Sequence, residues 1–232
     1  MKIKFLGIGS AYNTKWLNSN AYFIVANSLY LLDCGESTFG KLMELGILND
    51  NYNGIYVLLT HLHADHAGSL PSLCSYCVSH LKIKVQVVYP GNEVDTYLQI
   101  VGIPADDYDH INTDVFISNA LNATALKGEH IPGYPSYGWM IESAGDNIYF
   151  SGDARTIHPT VLSKLLAGEM KMVYHDVEFN EAEKVNGCHL QYQQLLRVVP
   201  PENRSHFCCM HLNCDYRDMA QHDGFNTAKI DE

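Results

Sequence analysis

Between positions 61 and 66 the chain reads His61-Leu62-His63-Ala64-Asp65-His66, four metal-capable side chains in six residues. The string follows directly on Ile55-Tyr56-Val57-Leu58-Leu59-Thr60, a continuous run of strand length that reads as a strand buried on both faces. The polar residues therefore stand where a buried strand ends, and burying them would be costly unless something bound them. One histidine alone is most simply a satisfied core or surface residue, but that reading does not extend to the cluster. On an extended chain alternate side chains share a face, which places His61, His63 and Asp65 on one side and leaves His66 to swing in as the backbone turns into a helix. Imidazole and carboxylate are the ligands zinc accepts in an open catalytic site that keeps a position for water.

Composition narrows the surroundings of such a site. Twenty-six acidic against fifteen basic side chains give a formal charge of -11, unfavourable for gripping nucleic acid through its phosphates, so no stable nucleic-acid complex is expected. No apolar run approaches the roughly 20 residues that span a bilayer, and no membrane partner is expected. Met1 to Phe5 pass straight into strand-like sequence with no cationic and apolar leader, so secretion is not expected. Seven cysteines, an odd number without scaffold spacing, read as reduced thiols in a cytoplasm. Cys74-x-x-Cys77 lacks a second pair and reads as buried or surface thiols, not as a zinc or redox motif. Phe5-Leu6-Gly7-Ile8-Gly9-Ser10 looks like a strand entering a glycine turn, and its lone GxG is too weak to mark a dinucleotide site.

Around the histidine string, strand and helix alternate. Runs 21–26 and 29–34 read as a hairpin turning at Asn27-Ser28, followed by a helix over 38–45. Beyond the strand at 55–60 come a helix over 67–80, a strand over 82–89 and a helix over 93–101 closed by Gly102. The stretch 109–150 turns β-rich, with strands expected at 115–117, 120–127, 138–142 and 147–150. Helices at 159–167 and 190–198 and strands at 172–175 and 206–211 complete the pattern. The last twenty residues read as a loose tail or a short helix. With no internal repeat, low-complexity tract or linker, residues 1–232 are expected to form one domain.

Further motifs along the chain resemble the metallo-β-lactamase superfamily, whose hallmark is the HxHxDH string after a strand. Leu31-Leu32-Asp33-Cys34-Gly35 is similar to its early Asp-x-Gly motif, in which Asp33 would support the site without being a ligand. Gly128-Glu129-His130, Phe150-Ser151-Gly152-Asp153 and Phe207-Cys208-Cys209-Met210-His211 match the later ligand motifs. The resemblance implies an α/β (α+β) fold, a four-layer αββα sandwich. It also implies that His61, His63 and His130 hold one metal, that Asp65, His66 and His211 hold a second, and that Asp153 bridges them. Histidine at position 63 resembles the zinc hydrolases more than the di-iron branch, which carries a carboxylate there. Two zinc ions are therefore expected, with manganese and iron as alternatives because nitrogen and oxygen ligands accept several divalent ions.

Tyr174-His175-Asp176-Val177-Glu178-Phe179, followed by Cys188-His189, resembles the phosphodiesterase branch, including the tRNA 3′-processing endonucleases. There an acid orients a downstream histidine, the places held here by Asp176 and His189. Asp for Glu, and Glu178 for Thr, depart from that segment, and a surface ion pair is the alternative reading. Two cations about 3.5 to 4 Å apart can activate water and clamp a phosphate oxygen. The alkoxide leaving group still needs a proton, which His189 made basic by Asp176 can supply, and Asp65 can take the proton of the attacking water. Only 23 positions separate His130 from Asp153, too few for the long arm of the tRNA enzymes. A small diester such as a 3′,5′-cyclic nucleotide, opened to the 5′-monophosphate, is the expected substrate.

The compact arrangement is also similar to the phage anti-Pycsar proteins, which hydrolyse cyclic-nucleotide immune signals. His130 opens an aromatic loop in which Tyr134 or Tyr137 can stack on a base. The alternative for both is packing within the loop or in a dimer interface. A homodimer is expected from the resemblance alone. Other readings are an RNA or DNA phosphodiesterase, a hydrolase of another ester, thioester or lactam, and a protein that sequesters a nucleotide without turnover.

Overall fold

The computed structural model describes residues 1–180 and 187–230. Among these residues two sheets face one another. The first runs in the order β1 (Lys4–Phe5), β2 (Ala21–Val25), β3 (Ser28–Leu32), β4 (Ile55–Leu58), β5 (Val85–Val88), β6 (Tyr108–Ile111). Its first two pairings are antiparallel and the remaining three parallel. The second contains β7 (Val115–Ile117), β8 (Asn122–Lys127), β9 (Tyr137–Ser143), β10 (Asp146–Phe150), β11 (Met172–Asp176), β12 (Phe207–Met210) and β13 (Asn226–Thr227), side by side in sequence order. It is antiparallel as far as β10 and parallel beyond it.

Alternation along buried strands sorts side chains into two cores. Leu29, Leu31, Ile55, Val57, Val85 and Val87 cluster with Leu42 of α1 (Thr38–Glu44), with Leu70 and Leu73 of α3 (Leu70–Tyr76), and with Val94 and Leu98 of α4 (Glu93–Ile100). Their neighbours Tyr30, Leu32, Leu58 and Val88 point the other way, into a cluster shared with Trp139, Ile141 and Phe150 of the second sheet. The same cluster takes in Val161 and Leu165 of α5 (Pro159–Leu166) and Leu195 of α6 (Tyr192–Val198). Both faces of β3 and β4 are thus covered, the condition that a continuous apolar strand requires. The result is a four-layer αββα sandwich. Across its middle, Trp139 Nε1 donates to the carbonyl of Leu59 at 3.1 Å.

Several expectations need local correction. The hairpin turns at Ala26-Asn27, both at positive φ (48° and 58°), with Val25 paired to Ser28; two left-handed residues make the turn whose twist suits the flanking strands. The helix expected over 67–80 is divided into α2 (Ala64–Ala67) and α3, with a π-helical turn over 77–81. At the division the backbone bonds sideways: Cys34 N donates to His66 O (2.7 Å) and Ser69 N to Cys34 O (3.0 Å). The strand expected from Phe5 ends there, and the chain continues through backbone bonds of Leu6 to Asn20 and Ile8 to Trp16 and through isolated bridges at Gly9. β6, at the start of the β-rich stretch and not among the strands expected there, closes the first sheet. The C-terminal stretch supplies α7 (Arg217–His222) and the edge strand β13. Cys74 and Cys77 are buried free thiols. No helix among the described residues is long and apolar enough to cross a membrane.

Candidate metal centre

Parallel strands from both sheets end on the same side, and the loops at those ends carry the polar cluster, as open α/β sheets commonly arrange their sites. Asp33 follows β3, His61 follows β4, His130 lies beyond β8, Asp153 beyond β10, Asp176 ends β11 and His211 follows β12. The expected sharing of one face by His61, His63 and Asp65 does not hold. His63 is extended (φ -65°, ψ 154°) and caps α2, which starts at Ala64. Asp65 is therefore helical, and at 3.6 residues per turn its side chain rotates away from His63 and sits beside His66.

Two groups result, meeting at Asp153. His61 Nε2 stands 3.0 Å from His63 Nδ1, and His130 Nε2 stands 3.4 Å from the same atom. Asp153 Oδ2 lies 3.9 Å from His61 Nε2 and 3.7 Å from His130 Nε2. On the other side, Asp65 Oδ2 is 3.2 Å from both His66 Nε2 and His211 Nε2. Asp153 Oδ1 is 3.0 Å from His66 Nε2 and 3.4 Å from His211 Nε2. In each group the donor atoms lie within 4.8 Å of one another.

The outward-facing atoms of the histidines are held in turn. Thr60 donates twice to Asp33, from its amide to Oδ1 (2.7 Å) and from its hydroxyl to Oδ2 (2.8 Å), so its hydroxyl oxygen is left to accept from His61 Nδ1 at 3.0 Å. His66 Nδ1 donates to Asp33 Oδ2 at 2.7 Å, and His130 Nδ1 to the carbonyl of Cys188 at 3.0 Å. Each bond leaves Nε2 facing the cluster as a lone pair, the arrangement that fixes tautomer and ring orientation in metal sites. Gly152 is required for this geometry: it has φ +56°, and a Cβ there would lie 2.5 Å from Thr60 Cβ.

Buried polar atoms are ordinarily paired. Here His66 Nε2 and Asp153 Oδ1 are buried with no hydrogen-bond partner although they are close together, and Asp176 Oδ1 is a third such atom. Orphaned lone pairs facing each other across a nitrogen and oxygen donor set fit divalent cations. The electrostatics agree. Burial pushes the His61 imidazole well below its usual range, reinforced by His66. Burial also opposes charge on His66 and His211, but the carboxylates around them, Asp153 foremost, hold both well above it. Asp153, despite burial, is held well below the usual carboxylate range by His211 and His66. The pocket favours positive charge, for which protons and metal ions compete.

Beside this cluster His189 Nδ1 donates to Asp176 Oδ2 at 2.6 Å. Asp176 is fully buried and also accepts from the amide of Ala154 at 3.2 Å, while its Oδ1 lies 3.3 Å from His211 Nδ1. Burial disfavours a charged His189, but the Asp176 carboxylate outweighs it and raises its pKa above the ordinary value. The pair is thus an inward-facing one, not a surface ion pair. A cleft of about 810 Å³ opens over the centre, lined by His63, Asp65, His130, Asp153, His189 and His211 and walled by Ser10 to Asn13. Tyr134 stacks on His63 (4.8 Å between ring centroids) and Tyr137 packs edge-on against Tyr89 (5.7 Å). Both line an adjoining cleft of about 460 Å³ that shares His130 and Ile131 with the first. Sequence reasoning missed Thr60, the Cys188 carbonyl and the Ser10–Asn13 wall. Only Thr60, directly before His61, carried a positional hint.

The model of the family described as anti-Pycsar protein Apyc1 matches residues 1–98 and 89–228. A relative of that name from Paenibacillus sp. (strain J14) is 27% identical over 231 residues, covering 93% of this chain and 90% of its own length. Another from Bacillus phage BSP38 is 27% identical over 245 residues, covering 94% and 91%. Among solved structures, human tRNase Z, short form, shares the fold with a TM-score of 0.73 at 19% identity, over 99% of this chain and 97% of that one.

Proposed function

The chain belongs to the anti-Pycsar Apyc1 family, and from that membership and the geometry of the centre we propose that it is a metal-dependent phosphodiesterase that opens 3′,5′-cyclic nucleotides to 5′-monophosphates. In this reading it removes a cyclic-nucleotide immune signal. The cations would be held by His61, His63 and His130 on one side and by Asp65, His66 and His211 on the other, with Asp153 shared between the two groups. Two divalent cations held there, zinc by the donor set, would supply Lewis acidity toward a phosphate oxygen and an activated water.

The chain's own groups do the rest. Asp65, a carboxylate kept charged by His211 and His66, accepts the proton of the attacking water. His189 faces the cleft and, with its protonated form favoured by the Asp176 carboxylate, donates to O3′ as the P–O3′ bond breaks, which turns a poor alkoxide leaving group into a hydroxyl. The Asp176–His189 contact is the observation that carries the reading, because a hydrolase of lactams or thioesters would give that pair no clear task. The negative net charge is no obstacle, since bound cations dominate the field that a phosphate feels. A homodimer acting in the cytoplasm completes the proposal.

Purified, metal-analysed protein should be incubated with cyclic mono- and dinucleotides, linear dinucleotides and a lactam, and the products identified. A 5′-monophosphate from a cyclic mononucleotide is the expected result. Tight binding with no new phosphate monoester would instead identify a sequestering protein, and turnover of the lactam alone would identify a different hydrolase.

A further inference from the structure

Tyr12 is 97% exposed, and an exposed aromatic on its own means little. Its position is the informative part, because it lies in the Ser10–Asn13 wall of the cleft that opens over Asp153 and His189. The wall is tied to the metal centre through a single residue. Ser10 N and Asn13 Nδ2 both donate to the carbonyl of Leu212, at 3.1 and 3.0 Å, and Leu212 N donates to the carbonyl of Ile8 at 2.8 Å. The turn is closed from within by Asn13 N donating to Ser10 O at 2.9 Å. Leu212 directly follows His211, so the distance from this wall to the centre is set by the Ser10 backbone bond and the Asn13 side-chain bond to its carbonyl. Among the described residues the Tyr12 ring stacks on no other ring and lies over no cation. The rings of Tyr134 and Tyr137, in contrast, are already engaged by His63 and Tyr89.

We propose that Tyr12 is the base-stacking residue of the cleft, so that it selects phosphodiesters carrying a planar heterocycle over those that lack one. A tyrosine has only two side-chain torsions to fix, so covering its ring with a second one costs little conformational entropy. Stacking is also tolerant of base identity, because every base offers a π face. The role predicted for Tyr12 is discrimination between nucleotides and baseless diesters more than choice among the four bases. This inference rests on the cyclic-nucleotide reading above and names how its substrate is held.

The test compares a 3′,5′-cyclic nucleotide with methyl β-ribofuranoside 3′,5′-cyclic phosphate, the same ring without a base, in the metal-loaded wild type and in Tyr12→Ala, Tyr12→Phe and Tyr12→Trp. The readout is the ratio of the two kcat/KM values. Wild type should favour the nucleotide, and Tyr12→Ala should lower the ratio by about 10- to 100-fold, the range expected for losing one stacked base. The Phe and Trp variants should restore it. A ratio within about twofold of wild type in Tyr12→Ala overturns the inference and leaves the phosphodiesterase reading standing. A wild type that cleaves neither compound overturns both. If Tyr12→Ala slows the two compounds equally while sedimentation shows a change of oligomeric state, Tyr12 is an interface residue and the inference fails.

Discussion

Asp153 uses its two carboxylate oxygens in opposite directions, Oδ2 toward His61 and His130 and Oδ1 toward His66 and His211. Asp153→Ala should therefore disturb both groups at once, with metal content falling and turnover lost, as read by elemental analysis and a product assay. His61→Ala should also abolish turnover while acting first on one group. His189→Ala should behave differently, because His189 belongs to neither donor set: metal stays bound and kcat falls by about 10²- to 10⁴-fold, the usual worth of a positioned acid. The pH profile gives a second check. The Asp176 carboxylate raises the pKa of His189 above its ordinary value, so the protonated donor persists to higher pH than on a free imidazole and is lost as pH rises through that raised value. The alkaline limb of kcat in the wild type should vanish in His189→Ala. Asp33→Asn tests orientation, since it weakens the acceptor for His66 Nδ1 and should lower metal affinity by about 10- to 100-fold with little change in fold.

At the scale of elements, the strand-to-loop junctions were the most legible part of the chain. An unbroken apolar run at 55–60 stopping at His61 announces a covered strand with chemistry at its end, and that is how β4 is placed. The later candidate ligands, Asp153 and His211, stand at the ends of β10 and β12 for the same reason, and their likeness to known motifs marks them in the sequence itself. Less was visible where tertiary bonds override local pattern. The break between α2 and α3 comes from backbone pairing with Cys34, 32 positions before His66, and no local periodicity encodes it. The same early helix start reassigned Asp65. The wall that carries Tyr12 depends on Leu212, 200 positions away, so its place over the centre could not be read from the residues around it. Gly152 shows how tightly one junction is built. An alanine there would occupy left-handed backbone, worth roughly 1–3 kcal/mol of strain, and would also meet Thr60. Gly152→Ala should lower stability by at least that amount in chelator, measured by urea unfolding, and should weaken metal binding by shifting Asp153 and the Thr60 bonds to Asp33 and His61.

For the whole molecule, the centre is a seam between halves. Asp33, His61, His63, Asp65 and His66 come from the first sheet and its helices, whereas His130, Asp153, Asp176 and His211 come from strand ends of the second. The sheets are joined beyond these groups by the shared apolar cluster and, two residues before His61, by the Trp139 bond to Leu59. A cation bound only by the folded arrangement must therefore stabilise the entire sandwich, because unfolding either half destroys its ligand set. With free metal at about one hundred times its dissociation constant the linkage is worth about 2.7 kcal/mol. For a chain of this length each kcal/mol moves the melting midpoint by about 2–4 °C, so chelation should lower it by roughly 5–10 °C, and adding metal back should restore it. The variants separate this effect from general damage. His189→Ala, outside both donor sets, should keep the full metal-dependent rise, while Asp153→Ala, which touches both, should lose most of it. Equal melting midpoints with and without chelator in the metal-analysed wild type would mean that the seven side chains do not hold cations in the folded protein.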